Sequence, residues 1–341
     1  MTKATTPAGN GGGRSHFSDD PILALDLGAS RIRAAVVLPD GSLAARADGI
    51  TRASDGPAAV IADAIELLRG VRSRVSGDQS RRIVAVGMSA PGPVDPHRGW
   101  LIEPPNLGPA FRDVAFTEPI GAALGLPAVL ERDTNVALLG ELAHGAARGM
   151  RDAVYITVST GIGGSIVTDG RLLGGPDGVA GELGHILVEV DGPPGGCGAR
   201  GHLEAISSGV AIARTAREAI ESGAAPGLVR LARDAGAPLT ARDVAVAEEA
   251  GDPAAAAIMD RARNAFAAAL VGLVNTFAPE VVVIGGSIAR SQGERWLGPS
   301  RDAVARFAFR IPAARVLIVP AELGDDVGLV GGLALVRARL G

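Results

Sequence analysis

Ile22-Leu23-Ala24-Leu25-Asp26-Leu27-Gly28-Ala29-Ser30-Arg31-Ile32-Arg33 opens the patterned part of the chain. Ile22 to Asp26 and Ile32 to Leu38 are largely apolar runs, with Gly28-Ala29-Ser30 between them. The pattern predicts two strands joined by a tight glycine turn. Asp26 then stands at a strand end beside exposed turn N–H groups, an arrangement that can hold magnesium and touch phosphate. An ordinary hairpin with a capping aspartate is the plainer reading of the same residues.

A second unit of this design follows further along. Ala153 to Val158 and Ser165 to Thr168 flank Ser159-Thr160-Gly161-Ile162-Gly163-Gly164. Glycines allow close backbone approach to a phosphate, and the hydroxyls add donors. Two such units point to phosphate more firmly than either alone. A third glycine pair, Gly285-Gly286, follows the apolar strand Val281 to Ile284. It either admits a nucleotide's base or ribose or makes a common strand-to-helix turn.

The chain has 341 residues, more than a single core usually holds, so two domains are expected. Residues 1–20 are polar and glycine-rich and read as a disordered tail. The first domain is expected over 21–133 and the second over 134–325, with a last apolar helix over about 326–341 returning to the first. Gly56 to Arg74 carries helical spacing, as does much of Gly209 to Ala278. Two long Gly/Pro-rich loops, Ser89 to Pro109 and Gly174 to Gly201, are of a length that marks function inside a compact domain. A short strand, Ala128 to Leu130, runs into Glu131-Arg132-Asp133-Thr134-Asn135. A helix over Val136 to Ala147 is expected next, with Thr134 or Asn135 as its N-cap.

Composition excludes several classes. Apolar residues make up 47% of the chain, enough for large cores, while aromatics make up 3% and the formal charge is −4. With no basic stripe, a nucleic-acid partner is not expected. No apolar run reaches the roughly 18 residues of a membrane span, so no membrane partner is expected. The one cysteine, Cys197, cannot form a disulfide within the chain, and a reducing cytoplasm is the natural setting.

Taken in order, the motifs resemble the ROK family, the sugar kinases and sugar-responsive repressors of the actin-like ATPase superfamily. The sugar-kinase signature is similar to Gly178-Val179-Ala180-Gly181-Glu182-Leu183-Gly184-His185 followed by Cys197-Gly198-Ala199-Arg200-Gly201-His202-Leu203-Glu204. Gly92-Pro93-Val94-Asp95, Pro105-Asn106-Leu107 and Asp133-Thr134-Asn135 also match. The resemblance spans Ile22 to the C-terminus. It implies an α/β fold of two RNase-H-like domains around a cleft, with a sugar at the floor and ATP between the domains.

On this resemblance Asp133 is the catalytic base, and its place at a strand end, before a helix, suits a carboxylate that must meet an attacking hydroxyl. Asn106, Arg132, Asp133, Gly178, Glu182, His185 and Glu204 are implied as the sugar site. Asp26, Gly28, Ser30, Arg31, Thr160, Gly161, Gly163, Gly285 and Gly286 are implied for ATP and Mg²⁺. A homodimer is implied by the family's habits.

Two departures stand out. The family places Asn before the catalytic Asp, where this chain has Arg132. An arginine offers only donors and a positive charge, so it either contacts a different substrate, an acidic one included, or turns away to an ion pair. The family's zinc ligands are one His and three Cys, where this chain has His185, Gly195, Cys197 and His202. Three ligands, His185, Cys197 and His202, still suit Zn²⁺ with a fourth donor; a metal-free loop is the other reading. His16, His97 and His144 lack such a context and read as surface residues. The implied activity is phosphoryl transfer from ATP to a hexose hydroxyl, with O6 the default. Glucose and amino or N-acyl hexoses, kanosamine among them, are the candidate substrates. The alternative is a catalytically inactive sugar sensor. The repressors of the family carry a DNA-binding domain ahead of the sugar domain, which the polar stretch before Ile22 is too short to supply.

Overall fold

The computed structural model describes residues 19–235 and 237–341. Most of the tail expected over 1–20, and His16 with it, lies outside the described residues. Strands β1 (Ile22–Leu27), β2 (Arg31–Val37) and β3 (Leu43–Ile50) form an antiparallel meander, as the opening motif predicts. Strand β4 (Val86–Ala90) then pairs parallel to β1. Three short strands, β5 (Val94–Asp95), β6 (Trp100–Leu101) and β7 (Val114–Ala115), make a small separate sheet. Strand β8 (Ala128–Arg132) closes the first large sheet, parallel to β4, in the order β3-β2-β1-β4-β8.

The same order recurs in the second sheet. Strands β9 (Ala153–Val158), β10 (Ile162–Thr168) and β11 (Arg171–Leu172) form an antiparallel meander. Strand β12 (Val281–Gly285) lies parallel to β9, and β13 (Leu317–Pro320) parallel to β12, giving β11-β10-β9-β12-β13. The duplication that two glycine hairpins hinted at is therefore complete at the level of sheets.

Burial explains the strands. β1 and β4 are covered on both faces and read as continuous apolar runs, as parallel strands between two layers must. β3, at an edge, alternates half-buried with exposed residues. On one face of the first sheet, Leu23, Leu25 and Val36 pack with Val60, Ala64 and Leu68 of the helix Pro57–Ser73. On the other face, Ile22, Ala24 and Ala35 pack with Leu329, Leu333 and Val336 of the last helix, Val327–Leu340. The second sheet is covered by the long helix Pro253–Phe277 and its neighbours on one face, and by the helix Asp133–His144 on the other.

Three local expectations are corrected. The first long loop is not structureless, since it builds the small three-stranded sheet. Gly163 and Gly164 lie within β10, and the turn before it is only Ser159 to Gly161. The helix after β8 begins at Asp133 itself, with Arg132 as its flanking residue, so neither Thr134 nor Asn135 caps it. Those two side chains are buried, and Asn135 is committed to Glu131 and Ser165.

The last helix is apolar around nearly its whole girth, which suits a helix packed on several sides. Its glycines make that packing possible. A β-carbon at Gly331 would fall 2.1 Å from the Val136 carbonyl oxygen, and one at Gly328 would fall 2.6 Å from the Asp26 carboxyl carbon. Across the interface, a β-carbon at Gly87 of β4 would fall 2.3 Å from the Gly332 oxygen. We propose the division of domains at 133/134 on this architecture, with the last helix completing the first domain. Gly331→Ala is expected to lower the unfolding free energy by about 1–3 kcal/mol, the usual cost of overpacking. Urea unfolding of the purified variant measures it, and an unchanged midpoint would mean that the two helices do not meet there.

Candidate functional site

Two cavities meet where β8 gives way to the helix Asp133–His144. The first holds about 600 Å³ between the two sheets. Asp26, Gly28, Gly285 and Gly286, which the resemblance implies for ATP and Mg²⁺, line it together. The second holds about 810 Å³ and is lined by Asn106 and the Pro91–Pro93 turn on one side, and by Glu182, His185 and Glu204 on the other. Asp133, Thr134, Thr157 and Ser159 line both. The expected base thus sits on the border between the two spaces.

Asp133 is reached by solvent through the cleft mouth, with protein packed behind it. That packing withholds water from the carboxylate and pushes its pKa up to about 6, and the nearby Asp26 charge adds to the rise. The Thr134 N–H opposes the rise, donating to Oδ1 at 2.7 Å. Asp26 is likewise pushed upward by burial, and this is partly offset by Arg33, whose guanidinium donates to it at 2.9 Å. Two carboxylates facing one cavity, the charge of Asp26 raising the cost of ionising Asp133, suit a divalent cation.

The glycine turns have packing reasons beside any ligand. The Glu204 carboxylate accepts from the Ile162 N–H at 2.7 Å, and a β-carbon at Gly161 would fall 2.6 Å from the same oxygen. Gly163 is held bare by Thr134, whose methyl group would lie 2.8 Å from a β-carbon there. The Tyr155 hydroxyl oxygen would lie 2.3 Å from a β-carbon at Gly285, and the Val158 carbonyl oxygen 2.3 Å from one at Gly286. Thr160, Gly161 and Gly163 border the second cavity, not the first.

Three expected residues fall outside both linings. The Ser30 carbonyl accepts from the Thr51 N–H, and Arg31 pairs with Ile50 in the β2–β3 ladder, so both serve the turn itself. Gly178 has a positive φ of 73° and packs toward Pro96 and the Val94 carbonyl. Ser159, Thr157, Ser287, Arg290 and Asp325 line the first cavity without having been singled out. Ser159 carried a signal, since it opens the second glycine motif; its hydroxyl accepts from the Ser287 N–H at 2.9 Å. Thr157 and Ser287 adjoin the second and third glycine motifs, whereas Arg290 and Asp325 lie outside any motif.

Arg132 takes the second of its two expected placements. It is buried, and its guanidinium pairs with Glu182 instead of pointing into open space. The zinc-type residues do converge. His185 Nδ1 lies 3.2 Å from His202 Nδ1, and Cys197 Sγ lies 3.5 Å from that same nitrogen. Tetrahedral Zn–N bonds of about 2.1 Å imply ligand edges of about 3.4 Å, so the spacing fits a zinc ion. Gly195 leaves the fourth corner without a side chain. His144 is half-buried, not fully at the surface: its Nε2 is buried, and its ring stands where a β-carbon at Gly41 would otherwise go. Among the described residues no helix is long and apolar enough to cross a membrane.

Comparison with known proteins agrees with this arrangement. Residues 22–339 match the ROK family. A glucokinase of Thermotoga maritima is 34% identical over 94% of this chain and 98% of its own. An N-acetylmannosamine kinase of Citrobacter koseri is 33% identical over 92% of this chain and 98% of its own. Among solved structures, a ROK family glucokinase from Streptomyces griseus in complex with glucose and AMPPNP superposes with a TM-score of 0.74 at 28% identity, over 93% of this chain and 99% of that one. With the twofold sheet order and the shared border at Asp133, these likenesses place the fold among the actin-like ATPases, and the chain belongs to the ROK family.

Proposed function

We propose that this ATP-dependent sugar kinase transfers the γ-phosphoryl group to a hexose hydroxyl, by resemblance O6, with Asp133 as the general base. One observation carries the reading: Asp133 borders the nucleotide-side cavity and the sugar-side cavity together. As the hydroxyl oxygen bonds to phosphorus, its proton passes to the Asp133 carboxylate, and the phosphorus–oxygen bond to ADP breaks. Asp26 is the residue we assign to Mg²⁺, which would neutralise charge on the phosphates. The Ser159–Gly161 turn faces the phosphoryl group from the sugar side. Asn106, Glu182, His185 and Glu204 supply acceptors and donors for hydroxyls.

A neutral hexose suits the second cavity. The relatives include a glucokinase and an N-acetylmannosamine kinase, which supports glucose or an amino or N-acyl hexose. An ADP-release assay across such a panel with Mg·ATP decides among them. Sugar binding without any turnover would favour the inactive sensor instead. The single cysteine supports a cytoplasmic setting. The exposed Phe307, Phe309 and Ile311, close together in sequence, support a homodimer.

Zinc at His185, Cys197 and His202 would be structural, bracing the loop that leads to Glu204. His185 Nδ1 faces His202, which leaves Nε2 for a sugar hydroxyl. Cys197→Ser is expected to strip bound zinc, measured by elemental analysis of the purified protein; a wild-type protein without zinc would establish the metal-free loop.

Asp133→Asn is expected to lower kcat by about 10²–10⁴-fold, the range of general-base catalysis, and to leave sugar affinity comparatively intact. The pH dependence follows from the raised pKa. Below about 6 the carboxylate is protonated and cannot accept the hydroxyl proton, so kcat falls about tenfold per pH unit as pH drops. A flat profile from pH 5 to pH 7, read with the enzyme still folded, would overturn the assignment.

A further inference from the structure

Arg132 departs from the family's pattern, and its surroundings show a place built for it. The side chain is 6% exposed although it lines the sugar-side cavity. Nη1 donates to the Glu182 carboxylate. Nη2 donates to the Ala180 carbonyl at 2.8 Å and the Gly164 carbonyl at 3.1 Å, with Asn135 Oδ1 at 3.4 Å. Two glycines make room for it. A β-carbon at Gly92 would fall 2.8 Å from Arg132 Cδ, and one at Gly181, where φ is +86°, would fall 3.1 Å from Nη2. A buried cation is tolerated only when its donors find acceptors. Here both terminal nitrogens find them, on β10, the helix Asp133–His144 and the Gly174–His185 loop, while the buried Nε has none among the described residues.

We propose that Arg132 is a positioning residue that locks the Gly174–His185 loop to the strand carrying the base and aims Glu182 at the sugar, without binding substrate itself. The proposal rests on the sugar reading of the second cavity. Glu182 is 48% exposed at its side chain, so one side of the carboxylate is tied and the other is open to the cavity. A glutamate on a glycine-rich loop loses rotamer and backbone freedom when it binds a hydroxyl, and the ion pair removes that freedom beforehand. Because Arg132 directly precedes Asp133, the same side chain fixes a sugar ligand relative to the base. It also follows that the guanidinium charge is spent on the protein, so it recruits no acidic sugar, and a neutral hexose is the substrate class.

The test is steady-state kinetics on a hexose that turns over, with Arg132→Ala, Arg132→Lys, Glu182→Gln, the Arg132→Ala/Glu182→Gln double variant, and Gly92→Ala. Glu182→Gln and Arg132→Ala are each expected to raise the sugar KM about 10- to 100-fold, the worth of a hydrogen bond to a charged group, with the ATP KM within about twofold of wild type. The double variant is expected to be no worse than the worse single, because the two residues act as one unit. Arg132→Lys is not expected to rescue, since a single ammonium cannot reach the spread of acceptors that the fork does. Gly92→Ala keeps both charges and displaces the Arg132 stem, and it is expected to raise the sugar KM. Because Gly92 also lines the sugar-side cavity, it is read with Gly92→Ala/Glu182→Gln. That pair is expected to be no worse than the worse single, whereas a methyl acting on the sugar directly would multiply the losses. Gly92→Ala carries the test if Arg132→Ala does not fold. Losses that multiply in the double variant would mean two independent sugar contacts and overturn the proposal. So would a wild-type sugar KM in Arg132→Ala or Gly92→Ala while Glu182→Gln is impaired. A wild-type sugar KM in Glu182→Gln would overturn the sugar assignment of the cavity as well.

Discussion

The contact between the last helix and the helix that begins at Asp133 is the constraint on which the site depends. The two backbones approach so closely at Gly331 and Val136 that no side chain fits between them. The last helix also touches Asp26 through Gly328 and β4 through the Gly332 oxygen that faces Gly87. One rigid rod therefore fixes the heights of both carboxylates. The far end of the Asp133 helix is tied separately. The buried Glu141 carboxylate accepts from the N–H groups of Ala146, Glu322 and Leu323, holding the segment that leads into the last helix. Interiors packed this densely transmit small displacements, so the position of the Asp133 carboxylate is set from behind, away from the cavities.

The electrostatics follow from that placement. Asp26, near the end of β1, and Asp133, just past β8, stand at the same end of the first sheet, and the protein packed around each makes it harder to ionise. Asp26 has the Arg33 ion pair to offset this, while Asp133 has the Thr134 N–H and, more weakly, the adjacent Arg132 charge. The two carboxylates are thereby separated in role. Asp26 is ion-paired with Arg33 in a place that suits a metal ligand, although burial still holds its carboxyl above the usual carboxylate range. The Asp133 carboxyl, pushed up to about 6, lies nearer neutrality, where a general base is most useful.

Much of this was legible in the sequence, and the limits have physical causes. The glycine hairpins, the strand before Asp133 and the last helix are local patterns, and local patterns survive reading in one dimension. Their twofold repeat became visible only through strand order, because β12 and β13 lie far from β9 in sequence but beside it in space. The resemblance implies Ser30 and Arg31 for ATP beside Asp26; their backbones hold the turn and the β2–β3 ladder, and neither lines the first cavity. Arg290 and Asp325, which form an ion pair at 2.8 Å beside the nucleotide-side cavity, come from segments with no motif at all. The Arg132–Glu182 pair spans fifty residues of chain, and no spacing rule connects its two ends.

The glycine motifs themselves are read differently once their neighbours are known. In the sequence, Gly161, Gly163, Gly285 and Gly286 stand for backbone that a phosphate or nucleotide can approach. In the fold, each is also bare because a specific protein atom occupies the place of its β-carbon: Glu204, Thr134, Tyr155 and Val158 in turn. The two causes are linked. Glu204 and Thr134 line the same cavities as the turns they press against, so a turn that is bare for packing is also held at fixed distance from the groups that would contact sugar and phosphate. Preorganised donors cost no reorganisation when the reaction occurs, and here the preorganisation comes from side chains wedged where β-carbons would otherwise be.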